Sequence, residues 1–263
     1  MSNLINIQQP SQGLRLRLEV LNERYEVLYY VSDSLVAKYF MEVKFVKRLK
    51  KQFVIEINRM DEVAGGNEGI QNHALDLACA CGKILFPIKI VLDEDAKIIA
   101  INNHQEIINR WLNQVPALVA YYSGEVADMY IAQTEQTLMN ANELIKILQK
   151  DFFISAFFMP LNMNPRDALT INTSRTFYVP EPIATAIIQT ASMLEGNSSH
   201  FQVNLSGRCL VDMLTNLQIE GLYVLEKASC KIYSIDFLWK IEDTEKLNEI
   251  SISIQSIKEL LPY

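Results

Sequence analysis

Apolar and polar residues alternate along the first part of the chain, as they do in strands that bury one face. The alternation runs through Leu14–Val20, breaks at Asn22 and Glu23, and resumes over Tyr25–Val31, which predicts an antiparallel hairpin. Two further alternating runs follow, Tyr39–Val46 and Gln52–Asn58. We therefore expect an N-terminal meander of about four strands.

A glycine-rich break separates this meander from the next elements. After Gly65, Gly66 and Gly69, the apolar spacing over Ile70–Leu85 predicts a helix that Pro87 ends. Two short β-rich runs come next, Ile88–Leu92 and Lys97–Ile101. The acidic turn between them predicts a second hairpin.

From Asn103 to Met159 the spacing changes to that of helices. Asn103 with Glu106, and Asn140 with Glu143, are typical N-terminal caps. They start a first helix, which Pro116 should kink or end, and a third one that reaches Phe152. A second helix is predicted between these two, over Gly124–Met139.

β-rich segments return after Pro160 and Pro165. They are Thr176–Val179, Ala184–Leu194, Phe201–Val211, Leu222–Leu225, Lys231–Ile241 and Glu249–Ile257. A C-terminal antiparallel meander is the simplest interpretation, although Ala184–Met193 is equally compatible with a short helix.

These patterns predict an α+β fold in which two antiparallel meanders, one N-terminal and one C-terminal, pack on a central helical segment of about three helices. We expect a polar leader over residues 1–13 and one domain over residues 14–263. Within that domain, residues 14–102 are mainly β with one helix, residues 103–159 are helical, and residues 168–257 are mainly β.

Two segments of the chain resemble each other. Residues 90–102 read IVLDEDAKIIAIN and residues 223–236 read YVLEKASCKIYSID, which align with a one-residue insertion. A duplication of two β halves and convergence of two similar hairpins explain the likeness equally well. Curved sheets on a helical layer are similar in shape to clamp-like carriers of lipids or lipoproteins, although no motif supports that similarity.

Charge narrows the classes of partner. The formal net charge of −7 disfavours nucleic acid, since phosphate backbones require a basic surface. One cluster of basic residues stands out from the net negative charge. Such a cluster is more typical of a solvated strand end than of a site for an acidic partner. It consists of Lys44, Lys47, Arg48, Lys50 and Lys51. Because residues 1–13 lack the features of a signal peptide and no stretch is long enough to span a bilayer, we expect a cytoplasmic protein.

Neither a metal site nor a cofactor is expected. Cys79 and Cys81 point about 200° apart on a helix, and Cys209 and Cys230 are isolated in sequence. The acidic groups at residues 93–95 and 242–245 fall in predicted turns, where carboxylates are usually solvated.

No catalytic residue is predicted either. His73 and Asp76 lie one helical turn apart and could orient an imidazole, but a surface hydrogen bond is the simpler interpretation. His104 begins a capped helix and His200 follows a polar loop. Phosphate-binding, dinucleotide-binding and nucleophile-elbow motifs are missing from the sequence.

Clusters of aromatic residues are the remaining feature of the sequence that could indicate a functional surface. The candidate interaction surface consists of Tyr121, Tyr122, Phe152, Phe153, Phe157 and Phe158. Consecutive Phe152 and Phe153 cannot share one helix face, so the segment is either wrapped on several sides or meets a partner or ligand. The leading hypothesis is a non-enzymatic domain that binds another protein or itself. The alternatives are a carrier of an apolar small molecule and an enzyme with unfamiliar motifs.

Overall fold

The fold is that of a computed structural model. It describes residues 17–63, 73–94, 96–158, 170–171, 175–177, 186–194, 199–210, 216–242 and 247–257. The chain is α+β, as the sequence predicts, and its described strands form one antiparallel sheet on which the helices pack.

Five strands form the N-terminal meander. They are β1 (Asn22–Val31), β2 (Ser34–Leu49), β3 (Gln52–Val63), β4 (Ile88–Leu92) and β5 (Ile98–Ile101). Each pairs with the next, so that β5 lies at one edge of the sheet. Alternate residues such as Tyr25, Val27, Met41 and Val43 are buried, and the residues between them are more exposed.

Seven strands form the C-terminal meander. They are β6 (Thr170–Ile171), β7 (Arg175–Phe177), β8 (Ala186–Leu194), β9 (His200–Leu210), β10 (Asn216–Glu226), β11 (Ile232–Glu242) and β12 (Leu247–Ile257). Strands β8 to β12 pair in chain order, and β6 and β7 both pair with β8. The segment that is compatible with strand or helix is therefore a strand over its described residues.

The two meanders join at the pairing of β1 with β12, which we call the seam. The pairing is antiparallel and runs from Arg24 opposite Ile257 to Val31 opposite Ile250. At the start of β1, Glu23 also forms an ion pair with Lys231, which precedes β11. The first and last described strands of the chain are thus neighbours in the middle of the sheet.

The helices lie between the two meanders in sequence, except for the first. They are α1 (His73–Lys83), α2 (His104–Tyr121), α3 (Glu125–Met139), α4 (Ala141–Lys150) and α5 (Phe152–Phe157). Asn140 caps α4 as predicted, because its side chain accepts the backbone N–H groups of Asn142 and Glu143. Asp151 caps α5 by accepting the Ile154 N–H at 2.9 Å.

One hydrophobic cluster contains buried residues from both meanders and from all five helices. The buried helical residues recur at turn-to-turn spacing, as in Ile107, Trp111 and Leu118 of α2. From the sheet side, Ile55 of β3 and Phe237 of β11 belong to the same cluster. The helical layer therefore covers strands on both sides of the seam.

The predicted first hairpin is wrong. Residues 14–16 lie outside the described part, and Leu18–Val20 form a 3-10 helix instead of a strand. Leu18 and Leu21 are buried, and the Leu21 carbonyl accepts the Phe45 N–H at 2.8 Å. Burial against β2 therefore determines the local conformation, and the true first strand begins at Asn22.

Two details of α2 can be compared with the prediction. Of the two outcomes predicted for Pro116, a kink or an end, the end is wrong, because the helix continues to Tyr121. Asn103 precedes α2, but its side chain makes no cap hydrogen bond. Its Oδ1 accepts the Lys89 N–H at 2.8 Å and its Nδ2 donates to the Pro87 carbonyl at 3.0 Å, so this buried amide attaches α2 to β4.

The two similar segments form hairpins with matching turns. In the β4–β5 turn, the Asp93 N–H donates to the Lys97 carbonyl and Ala96 has φ +60°. In the β10–β11 turn, the Glu226 N–H donates to the Lys231 carbonyl and Cys230 has φ +56°. The residue before each lysine is thus left-handed; duplication and convergence both remain compatible with this likeness.

Candidate functional site

The aromatic residues of the predicted interaction surface separate into two groups. The first, on α5 and just after it, lies in the interior: Phe153, Phe157 and Phe158 are buried and Phe152 is half-buried. Phe152 contacts the rings of Tyr29 in β1 and Trp239 in β11, each with ring centres 5.0 Å apart. These side chains pack the seam from the helical side.

The second group, Tyr121 and Tyr122, lies at the C-terminal end of α2. Tyr121 is 70% exposed, and its ring meets the edge of the Tyr122 ring at 4.8 Å between centres. The Tyr122 hydroxyl donates to Asp76 Oδ2 of α1 at 2.7 Å. This hydrogen bond is the largest cause that raises the pKa of Tyr122 to about 12. Tyr122 therefore fastens α1 to the end of α2, whereas Tyr121 faces solvent.

Further exposed apolar side chains, which the sequence patterns did not single out, lie on α3. Val126 and Met129 are 80% and 55% exposed. Tyr130 is also exposed, and Val126, Met129 and Tyr130 share one flank of α3 because they lie three and four residues apart. We call Tyr121, Val126, Met129 and Tyr130 the α2–α3 surface. Val119 of α2 is 52% exposed, but it lies two residues before Tyr121 and so points to the opposite side of that helix.

A tight connection brings the two parts of this surface together. Only residues 122–124 separate α2 from α3, and Gly124 adopts φ +113° and ψ 157° immediately before α3. That conformation is accessible almost only to glycine. The chain can therefore reverse direction within three residues, which places the end of α2 beside the start of α3.

The charged side chains of the chain segment that carries the α2–α3 surface have one sign. The sequence contains no lysine or arginine between Arg110 and Lys146. Glu125 and Asp128 are exposed in the first turn of α3 and have no basic partner in the described ranges. Their position near the α3 N-terminus is favourable for carboxylates. The surface is thus apolar with an acidic border.

The structure shows the surroundings of the residues that were considered for catalysis or metal binding. His73 is exposed, and the carboxylate of Asp76 accepts the Tyr122 hydroxyl. Cys81 is buried, and burial raises the pKa of its thiol. Within the described part of the chain, no group of three or more His, Cys, Asp or Glu side chains could hold a metal ion.

The other two histidines also contact neighbouring groups. His104 Nε2 lies 2.7 Å from the carbonyl oxygen of Leu138, at the C-terminal end of α3. His200 Nδ1 lies 2.9 Å from Ser199 Oγ, and its ring packs against Tyr233. His104 therefore links the start of α2 to the end of α3, and the His200 ring links β9 to β11.

The basic cluster lies at the end of β2 and in the turn to β3. Three of its members form ion pairs: Lys44 with Glu42 at 2.7 Å, Arg48 with Glu19 at 3.4 Å, and Lys51 with Glu94 at 3.5 Å. Lys47 and Lys50 are exposed and have no acidic partner among the residues described. Val46 and Leu49 are 43% and 40% exposed in the same segment.

The acidic clusters lie partly outside the described residues. Asp93 Oδ1 accepts the Lys97 N–H at 2.9 Å and so closes the β4–β5 turn. Glu242 ends β11. Asp95, Asp243 and Glu245 lie outside the described residues, as does the side chain of Cys209.

Comparisons with known proteins place this chain in no family. No family model matches it, and no curated protein matches it. A solved structure that describes lipid–protein interactions in lipovitellin aligns with 95% of this chain at 10% identity and a TM-score of 0.46. The aligned part corresponds to 26% of the lipovitellin chain.

Of the surfaces that the structure describes, the α2–α3 surface combines the greatest exposure of apolar side chains with unpaired charge of one sign. Sequence reasoning identified Tyr121 within it but missed Val126, Met129 and Tyr130. The lack of basic residues between Arg110 and Lys146 was the signal that could have found them. No described helix is long and apolar enough to span a membrane.

Proposed function

We propose that this chain is a non-enzymatic protein-binding domain whose α2–α3 surface binds a partner segment rich in both basic and apolar side chains. The observation that carries the proposal is the exposure of Tyr121, Val126 and Met129, each more than half exposed, beside Glu125 and Asp128. Clustered exposed apolar side chains with a polar border are typical of interaction sites.

The chemistry of the surface selects the partner. Burial of valine, methionine and tyrosine side chains stabilises a complex through the hydrophobic effect and through aromatic contacts. The acidic border repels anionic partners and attracts cationic ones, which adds specificity and speeds association. A basic amphipathic segment satisfies both requirements, whereas nucleic acid and anionic lipid carry the negative charge that the acidic border repels.

Site-specific photo-crosslinking tests the proposal. A benzophenone amino acid replaces Tyr121 or Met129 in the full chain within its native cells, and the matched control carries the same group at exposed Gln105 of α2. We expect cross-linked products from the two surface positions, and peptides that contain basic and apolar residues. No product, or the same products from all three positions, would contradict the proposal.

The carrier hypothesis concerns a different part of the molecule. An apolar ligand held between sheet and helices would lie near α5, where Phe152 meets Tyr29 and Trp239, and Phe157 meets Tyr25 at 5.0 Å between ring centres. The chain's own side chains thus occupy the helical side of the seam. A bound lipid in a native mass spectrum of protein purified from cells would support the carrier.

A further inference from the structure

The turn between β2 and β3 has the properties that the proposed partner segment requires. Residues 44–51 carry five basic side chains, of which Lys47 and Lys50 lack acidic partners in the described ranges. Val46 and Leu49 expose apolar surface between these charges. We call residues 44–51 the basic turn.

Local backbone geometry explains why the basic turn is exposed. The register of β2 with β3 shifts between Phe45 and Lys47, so Val46 is an extra residue in β2. Such a bulge leaves its extra residue outside the regular pairing and increases the local twist. Lys50 then adopts φ +54° and reverses the chain. The bulge and the turn together present Val46, Lys47 and Lys50 to solvent.

Within the described part of one molecule, no ion pair joins the basic turn to the α2–α3 surface. The basic turn lies beside the Leu92 end of β4, since Phe53 pairs with Leu92 and Lys51 forms an ion pair with Glu94. Helix α2 begins at the other end of β4, where Asn103 bonds to Lys89 and Pro87. Both surfaces carry exposed side chains and are therefore available to a second molecule.

We propose that the α2–α3 surface of one molecule binds the basic turn of a second copy of this chain, head to tail. This inference rests on the proposed function and names its partner. Glu125 and Asp128 would face Lys47 and Lys50, and Val126 and Met129 would pack against Val46 and Leu49. Because the two surfaces differ, the contact is heterologous, and association continues to longer oligomers as the concentration rises.

Reversal of charge tests the contact. Two double variants are needed: K47E/K50E reverses the basic turn, and E125K/D128K reverses the border of the α2–α3 surface. All four side chains are exposed, so the fold is expected to persist, which circular dichroism checks. The control is K83E, at an exposed lysine outside both surfaces.

Sedimentation velocity of the full chain from low to high micromolar concentration measures the association. We expect the wild-type chain and K83E to associate, more weakly at high salt because exposed charges are screened. Each double variant alone should associate at least about tenfold more weakly, since like charges then oppose each other. An equimolar mixture of the two double variants should associate again, as should one chain that carries all four substitutions.

Two results would overturn the self-association. One is a wild-type chain that stays monomeric at every concentration, and the other is association that none of the charge reversals changes. If the chain is monomeric while Tyr121 and Met129 cross-link to a basic segment of another protein, the proposed function stands and only the identity of the partner is wrong. If neither experiment gives a product, both proposals fail.

Discussion

Gly221 in β10 occupies a position that has no room for a side chain. A Cβ atom there would lie 2.8 and 2.9 Å from two ring carbons of Phe237, its cross-strand neighbour. Phe237 is buried and packs against Trp239, with ring centres 4.5 Å apart, so it has little freedom to move. The lack of a side chain at Gly221 therefore leaves room for the Phe237 ring beside β10.

Gly221→Ala should lower the free energy of unfolding by about 1–3 kcal/mol, the usual range for an overpacked core. Urea denaturation measures the change. Gly82→Ala is the matched control, because a Cβ at Gly82 of α1 meets nothing within 4 Å and alanine favours a helix by about 0.5–1 kcal/mol. Equal effects of the two substitutions would show that contact with Phe237 is not the cause.

Glu42 in β2 contributes stability that depends on pH. Its side chain is 14% exposed and lies 2.7 Å from Lys44 and 3.4 Å from Arg24. The hydrogen bond from Lys44 is the largest cause that lowers the pKa of Glu42, with a smaller contribution from Arg24. A carboxylate with a lowered pKa stabilises the fold above its unfolded pKa of about 4.3, and this stabilisation is lost as the pH falls through the folded value.

Glu42→Gln should therefore lower the free energy of unfolding at neutral pH by about 0.5 kcal/mol, a typical value for a pair near the surface. The difference from the wild type should shrink as the pH falls below about 4. Denaturation curves of both proteins, recorded at neutral pH and below about pH 4, measure this change. Glu135→Gln is the control, since Glu135 lies beyond the first turn of α3 and has no basic partner among the described residues. A difference that is constant with pH would contradict the assignment.

At the scale of elements, α5 is the piece that connects the helices to the C-terminal meander. Its carbonyl at Ala156 accepts the Tyr223 hydroxyl of β10 at 2.7 Å in a buried hydrogen bond. On the other side of the seam, Phe157 packs on Tyr25 of β1. A six-residue helix this short is not stable alone, so these tertiary contacts must hold it in place.

Tyr223→Phe should lower the free energy of unfolding by about 1–2 kcal/mol, because the Ala156 carbonyl then remains buried without that donor. Tyr30→Phe is the matched control. Tyr30 lies in β1 and is only half-buried, and its substitution should change the stability by less than about 0.5 kcal/mol. Urea denaturation compares the two variants, and a loss of equal size in both would contradict the role given to the hydroxyl.

Local patterns of apolar residues predicted most helices and strands. A helix or strand that buries one face has apolar residues at regular intervals along the sequence. The alternation in β1 and β12 and the spacing in α2 are examples, and their predicted positions are close to the observed ones. The same rule failed at Leu18–Val20, which form a 3-10 helix; Leu18 is buried within it and Leu21 is buried just after it. Short alternating runs do not distinguish these cases, since the deciding contact with Phe45 is distant in sequence.

The candidate site was predicted only in part for a related reason. Phe153 and Tyr121 are both aromatic residues in helical segments, yet one is buried at the seam and the other is 70% exposed. Spacing within a helix indicates which residues share a face, but not whether another element covers that face. The helix that carries Phe153 is covered by strands from both meanders, through Tyr25 and Tyr223, and the pairing of these meanders across the seam has no local signal.

At the scale of the whole molecule, the seam determines whether the two meanders unfold together. The pairing of β1 with β12 is continuous from Arg24 to Val31, and Glu23 pairs with Lys231 at its end. Helix α5 contacts both sides through Tyr25 and Tyr223. Separation of the meanders would expose these buried rings to water. We therefore propose that the chain from residue 14 onwards behaves as one cooperative unit.

The two tryptophans of the chain provide separate probes of this cooperativity. Trp111 lies in α2 and Trp239 in β11, and both are fully buried. Their indole N–H groups have no hydrogen-bond partner in the part of the chain that is described, so replacement by phenylalanine removes no such bond. W239F reports on α2 alone, and W111F reports on the C-terminal meander alone.

In each of these variants, the unfolding curve from tryptophan fluorescence should coincide with the curve from far-ultraviolet circular dichroism, as for a two-state transition. Comparison within one variant is necessary, because loss of a buried tryptophan itself lowers stability by an amount that differs between the sites. If Trp239 in W111F loses its buried signal at a lower urea concentration than the dichroism changes, the C-terminal meander unfolds independently. The seam would then be a contact between two folding units, and the chain would not be one domain.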